Sequence, residues 1–126
     1  AQINRRTVSD LVPAWTFRSG ELSERVERGS PPSLEVTPLM VDGSVFVSTP
    51  LGRVFALDPA TGAERWRFDA KVPANAGYGD FTNRGVAWWR DAQADARGDS
   101  SAVCARRVLA VSIDARLFAL DARTGL

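Results

Sequence analysis

The sequence predicts an all-β chain built from small antiparallel sheets, and three observations carry that prediction. The first is an internal repeat. Val45–Gly62 (VFVSTPLGRVFALDPATG) and Val108–Gly125 (VLAVSIDARLFALDARTG) align at a constant offset of 63 without a gap, and eight of the 18 positions are identical. The second is patterning: short β-branched and aromatic runs are separated by residues that favour tight turns. The third is an echo of Trp-x-Phe, at Trp15–Phe17 and again at Trp66–Phe68. Repeated four-stranded units joined by tight turns are the signature of a β-propeller.

The first unit reads as four strands. Thr37–Val41 is a short apolar strand ended by Asp42-Gly43, a strong two-residue hairpin turn. Ser44–Thr49 follows, then the turn at Leu51-Gly52 and a third strand over Arg53–Leu57. Asp58–Gly62 is the next turn: the Asp58 carboxylate can accept backbone N–H bonds, and Gly62 can take a positive φ. Glu64–Phe68 closes the unit and places Trp66 to pack between neighbouring sheets.

Beyond Phe68 the pattern changes. Asp69–Tyr78, rich in Ala, Gly and Pro, reads as a loop, and Val86–Trp89 as a strand opening the next sheet. Arg90–Val103 reads as a polar surface insertion. Arg107–Ile113 and Arg116–Leu120 rebuild the second and third strands. The chain then stops at Leu126, before a fourth strand, and a blade cannot bury both faces alone. The sequence therefore reads as about one and three-quarter blades of a longer propeller. Its segments are an opening part over 1–33, a first blade over 34–68, a loop, strand and insertion over 69–105, and an incomplete second blade over 106–126.

Composition removes several function classes. The 126 residues carry 16 basic and 15 acidic side chains, a formal charge of +1, which leaves no electrostatic footprint for nucleic acid. No apolar run is long enough to cross a bilayer, and no signal peptide opens the chain. There is one cysteine, Cys104, read as a small hydrophobe beside a strand, so an internal disulfide and a Cys-based zinc site are excluded. There is no histidine, which rules out a self-contained Ser-His-Asp or Cys-His enzyme.

Three segments together resemble the pyrroloquinoline quinone (PQQ)-dependent dehydrogenases, the quinoproteins. Val54–Trp66 is similar to their tryptophan-docking repeat. Leu34–Gly43 (LEVTPLMVDG) resembles the segment before their first blade, whose glutamate lies at the PQQ site. Gly79–Trp89 (GDFTNRGVAWW) resembles their Asn-Arg-Gly segment, whose arginine contacts PQQ. Ala14–Gly20 resembles their opening strand. Tyr78 and Gly79 stand where the methanol and ethanol dehydrogenases carry two adjacent cysteines. The run Cys104–Arg107, with Ile113–Leu117, looks more like the membrane-bound glucose, quinate and shikimate branch, in whose glucose members a histidine sits near the place of Asp80.

The resemblance implies an eight-bladed propeller and a sugar or alcohol substrate. It also implies electron transfer to ubiquinone or a cytochrome, a periplasmic location, and attachment to the inner membrane through parts outside this chain. PQQ is a flat ortho-quinone with three carboxylates, so its site needs cations and flat surfaces. Arg84 suits a carboxylate through two parallel hydrogen bonds. Glu35 fits by accepting from the ring N–H or by sharing a proton with one acid. Gly79 and Asp80 are expected to face the ring, Asn83 to hold the loop, and Trp88 and Trp89 to pack. In the family Ca²⁺ polarises the quinone carbonyl while an aspartate takes the alcohol proton and the hydride passes to the quinone. Those ligands and that aspartate are expected beyond Leu126, so no metal ligand and no catalytic base is assigned here. The competing reading is a non-catalytic propeller, a protein-binding or outer-membrane assembly module.

Overall fold

The computed structural model of the chain describes residues 2–21, 32–99, 102 and 105–126. Cys104 lies outside the described residues. Among the described residues, after a short 3-10 turn at Val8–Asp10, nine strands follow: β1 (Ser33–Leu34), β2 (Leu39–Val41), β3 (Ser44–Ser48), β4 (Arg53–Leu57), β5 (Glu64–Asp69), β6 (Thr82–Asn83), β7 (Ala87–Arg90), β8 (Arg106–Val111) and β9 (Leu117–Asp121). A helix, α1 (Ala92–Ala96), sits between β7 and β8.

The strands form a four-stranded antiparallel sheet in the order β2-β3-β4-β5 and a three-stranded one in the order β7-β8-β9. The repeat at offset 63 is structural. Val45 pairs with Leu57 in the first sheet, and Val108 pairs with Leu120 in the second. The turns repeat as well. Asp42 and Gly43 both take positive φ, 51° and 71°, as a type I′ hairpin requires. Asp58 Oδ1 accepts from the N–H groups of Ala60 and Thr61, and Asp121 Oδ1 accepts from those of Arg123 and Thr124.

Alternation along the strands sends side chains to opposite faces. Phe46, Val54 and Ala56 face the second sheet and pack with Val108, Ala110 and Leu120. Val47, Phe55 and Leu57 face the other way, against Trp15 and Phe17. The two Trp-x-Phe pairs occupy equivalent places: Phe17 meets Phe55 at 4.9 Å and Phe68 meets Phe118 at 4.8 Å between ring centroids. Each tryptophan docks on the turn of the next sheet. Trp15 Nε1 donates to the Pro59 carbonyl and Trp66 Nε1 to the Ala122 carbonyl, both at 3.0 Å.

One expectation needs correction, and the structure adds elements that the sequence did not announce. Ala14–Gly20, expected as an opening strand, forms no strand ladder among the described residues. Trp15 and Phe17 hold it by face packing on the first sheet instead of by pairing at an edge. The insertion after Arg90 contains α1, because Asp91 caps its start by accepting from the N–H groups of Gln93 and Ala94, and Ala-rich AQADA favours helix. Finally, Thr82–Asn83 is a strand, the parallel partner of β1.

Candidate functional site

The site grows from that parallel pair. Ser33 registers with Thr82 and Leu34 with Asn83, and the ladder is extended by Ser33 N–H to the Phe81 carbonyl and Thr37 N–H to the Arg84 carbonyl, both 3.1 Å. Parallel register carried one residue further sets Glu35 beside Arg84. Arg84 Nη2 lies 3.2 Å from Glu35 Oε2. Two residues 49 positions apart in the sequence therefore form one ion pair. The pair is open to solvent, with Arg84 82% and Glu35 41% exposed in their side chains. An exposed pair of this kind contributes about 0–1 kcal/mol to folding. Its groups are accessible to a ligand.

Asn83 anchors the loop more firmly than sequence reasoning foresaw. Its Oδ1 accepts from Ser48 Oγ at 2.6 Å and from the Gly85 N–H at 3.0 Å, while its Nδ2 donates to the Val111 carbonyl at 3.0 Å. Gly85 follows at φ 144°, and a Cβ there would sit 3.2 Å from the Thr37 carbonyl oxygen. Only glycine accepts both that conformation and that approach comfortably. Ser48 was missed by the sequence reading. Its one signal was a hydroxyl closing the apolar run Val45–Val47, which the structure buries.

The other expected residues are less closely joined to the pair. Gly79 is exposed, and a Cβ built on it would meet nothing within 4 Å. Asp80 is exposed, its carbonyl accepting from the Thr82 N–H at 3.0 Å. No hydrogen bond or ion pair among the described residues joins either to Glu35 or Arg84. Phe81, fully buried, fixes this loop and meets the Tyr78 ring edge-on at 6.0 Å. Trp88 packs in the core, 5.9 Å from Phe46, as expected. Trp89 instead faces outward beneath the Arg107 guanidinium, 5.3 Å from its ring centroid, because it falls on the opposite face of β7. Among the described residues no group of three or more His, Cys, Asp or Glu side chains gathers as a metal site.

A family model described as "PQQ: Glucose/ethanol/alcohol dehydrogenase, beta-propeller domain" matches residues 1–126. The chain belongs to this quinoprotein propeller family. It is 36% identical over 132 residues to quinoprotein glucose dehydrogenase A of Acinetobacter calcoaceticus, covering 98% of this chain and 16% of that protein. It is 33% identical over 135 residues to the quinate/shikimate dehydrogenase (quinone) of Acinetobacter baylyi, again covering 98% and 16%. Among solved structures, the quinohemoprotein alcohol dehydrogenase of Comamonas testosteroni aligns with a TM-score of 0.58 at 35% identity, covering 74% of this chain and 12% of that one. The chain thus spans about one-sixth of the curated relatives it matches. In this quinoprotein propeller the two antiparallel sheets are blades, and the Glu35–Arg84 pair lies just past the ends of the strand pair β1–β6, outside both.

The donor set fits part of a PQQ site. An exposed guanidinium could present N–H groups to a carboxylate of such a cofactor, and the carboxylate of Glu35 would stand beside it as an acceptor. The pairing also answers an electrostatic objection. A lone glutamate would repel a triacid, whereas the Glu35–Arg84 pair carries no net charge.

Proposed function

We propose that this chain forms part of the cofactor site of a PQQ-dependent dehydrogenase that oxidises a sugar or an alcohol. The observation that carries the proposal is the Glu35–Arg84 ion pair, assembled from two distant segments and left open to solvent. Bound PQQ supplies a two-electron, two-proton acceptor for a CH–OH group. Arg84 holds one of its carboxylates and Glu35 accepts from its ring N–H. On this reading Gly79 and Asp80 face the ring, and Gly79 stands in open space. Ca²⁺, as the Lewis acid on the quinone, is held by residues outside this chain.

The relatives support the substrate class, since their names include glucose, quinate/shikimate and alcohol dehydrogenases. The word "quinone" in the name of the quinate/shikimate relative supports transfer of electrons to a respiratory quinone, and the quinohemoprotein relatives support a haem protein instead. A periplasmic location with attachment to the inner membrane follows from the same reading. The test is to reconstitute a complete quinoprotein carrying this chain with PQQ and Ca²⁺, then assay glucose, quinate and simple alcohols with an artificial electron acceptor. PQQ-dependent turnover of one class supports the proposal. A protein that binds no PQQ and turns over none of them is a non-catalytic propeller, and the proposal fails.

A further inference from the structure

The guanidinium of Arg84 is largely in solvent, so side-chain packing does not decide where it reaches. Its backbone decides. On one side, the Arg84 carbonyl is held by the Thr37 N–H and Gly85 is pressed against Thr37. On the other side stands Asn83, whose carboxamide is tied to both blades at once. Ser48 lies in β3 and Val111 in β8 at the offset of the repeat, so the amide spans equivalent positions of adjacent blades.

The chemistry at this junction is directional. The Val111 carbonyl demands a donor and the Gly85 N–H demands an acceptor, which fixes the carboxamide orientation. Ser48, buried and with its hydroxyl 2.6 Å from Oδ1, donates the third bond. An aspartate keeps the two acceptor bonds but sets an oxygen against the Val111 carbonyl.

Resting on the PQQ reading above, we propose that Asn83 and Ser48 are positioning residues for Arg84. They register the cofactor-binding guanidinium to the seam between the first two blades. The hydroxyl of Ser48 acts on the cofactor through Asn83 and the backbone of Arg84, without touching it.

The experiment is a double-mutant cycle read by PQQ affinity. Apoprotein of a complete quinoprotein carrying this chain is titrated with PQQ in the presence of Ca²⁺, following quenching of tryptophan fluorescence, and thermal unfolding of each apoprotein is recorded alongside. Ser48→Ala should weaken PQQ about fivefold, the scale of one neutral hydrogen bond, and Asn83→Asp by about tenfold or more. In an Arg84→Ala background, Ser48→Ala should have no further effect on affinity, because the group it positions is gone. A Ser48→Ala effect that persists in full beside Arg84→Ala, or no effect in either background, overturns the positioning role. Wild-type affinity in Arg84→Ala alone overturns the PQQ site itself, a separate outcome. Should Asn83→Asp fail to fold, the Ser48 arm of the cycle carries the test.

Discussion

Trp66 lies so close over Gly125 that a Cβ on the glycine would fall 2.6 Å from the indole ring atom Cε3. The same relation joins Trp15 to Gly62, again at 2.6 Å. Both glycines have left-handed φ, 76° and 72°, and each ends the turn whose carbonyl accepts the indole N–H. The turn and the tryptophan are thus one joint between successive blades.

Gly125→Ala should damage that joint twice, by about 1–2 kcal/mol of backbone strain and by displacing the indole. Trp66→Ala should cost about 3 kcal/mol through lost burial of a large side chain. The two changes should be less than additive, since both break one contact. Denaturant unfolding of the single and double variants measures this, and full additivity would contradict a shared joint.

Acid should loosen the first of these turns. The hydrogen bond from the Arg65 side chain, with backbone N–H bonds from Thr61 and Ala60, lowers Asp58 from its ordinary 3.8 to about 2. The ionised form is therefore favoured by folding. Its contribution is complete above pH 3.8 and disappears as pH falls from there to about 2. Asp58→Asn should lower stability at neutral and alkaline pH without changing the slope there, and should flatten the acid limb of the stability–pH curve in that window. A curve of unchanged shape would contradict the assignment.

Glu21 should prove structural. Its side chain is buried, accepting from Thr49 Oγ1 at 2.5 Å, from the Leu51 N–H at 3.2 Å and from Arg53 Nη1 at 3.2 Å. In the second blade the equivalent carboxylate is local: Asp114, at the position of Leu51, accepts from Ser112 Oγ and from Arg116 Nε. The first blade thus borrows from the opening segment the acid that the second carries itself. Glu21→Gln should cost about 2 kcal/mol by losing a charge-assisted bond to Arg53, and should speed proteolysis within 2–20. Equal protease resistance in the variant would show that Glu21 does not pin that segment.

The strands were legible because their signals are local. Asp42-Gly43 announces a hairpin, and the repeat of Arg53–Gly62 at Arg116–Gly125 announces a second blade, as the matching registers bear out. The helix after Asp91 was not legible as such, since a five-residue helix gives no apolar period to read. The resemblance set Glu35 and Arg84 at one site but did not foresee that they pair. A two-residue parallel ladder leaves almost no pattern in sequence, and β1 and β6 are both that short. Ser48 was invisible for a related reason: its partner, Asn83, lies 35 positions away, and nothing in either residue type names the other.

The central claim is that Arg84 holds PQQ. The direct measurement is equilibrium titration of PQQ, with Ca²⁺ present, into the apoprotein of a complete quinoprotein carrying this chain, compared with its Arg84→Ala variant. Loss of one charge-assisted pair should weaken binding by about 1.5–3 kcal/mol, roughly 10–100-fold, while the melting temperature of the apoprotein stays near that of the wild type because the Glu35–Arg84 pair is exposed. Unchanged PQQ affinity in the folded variant would contradict the account.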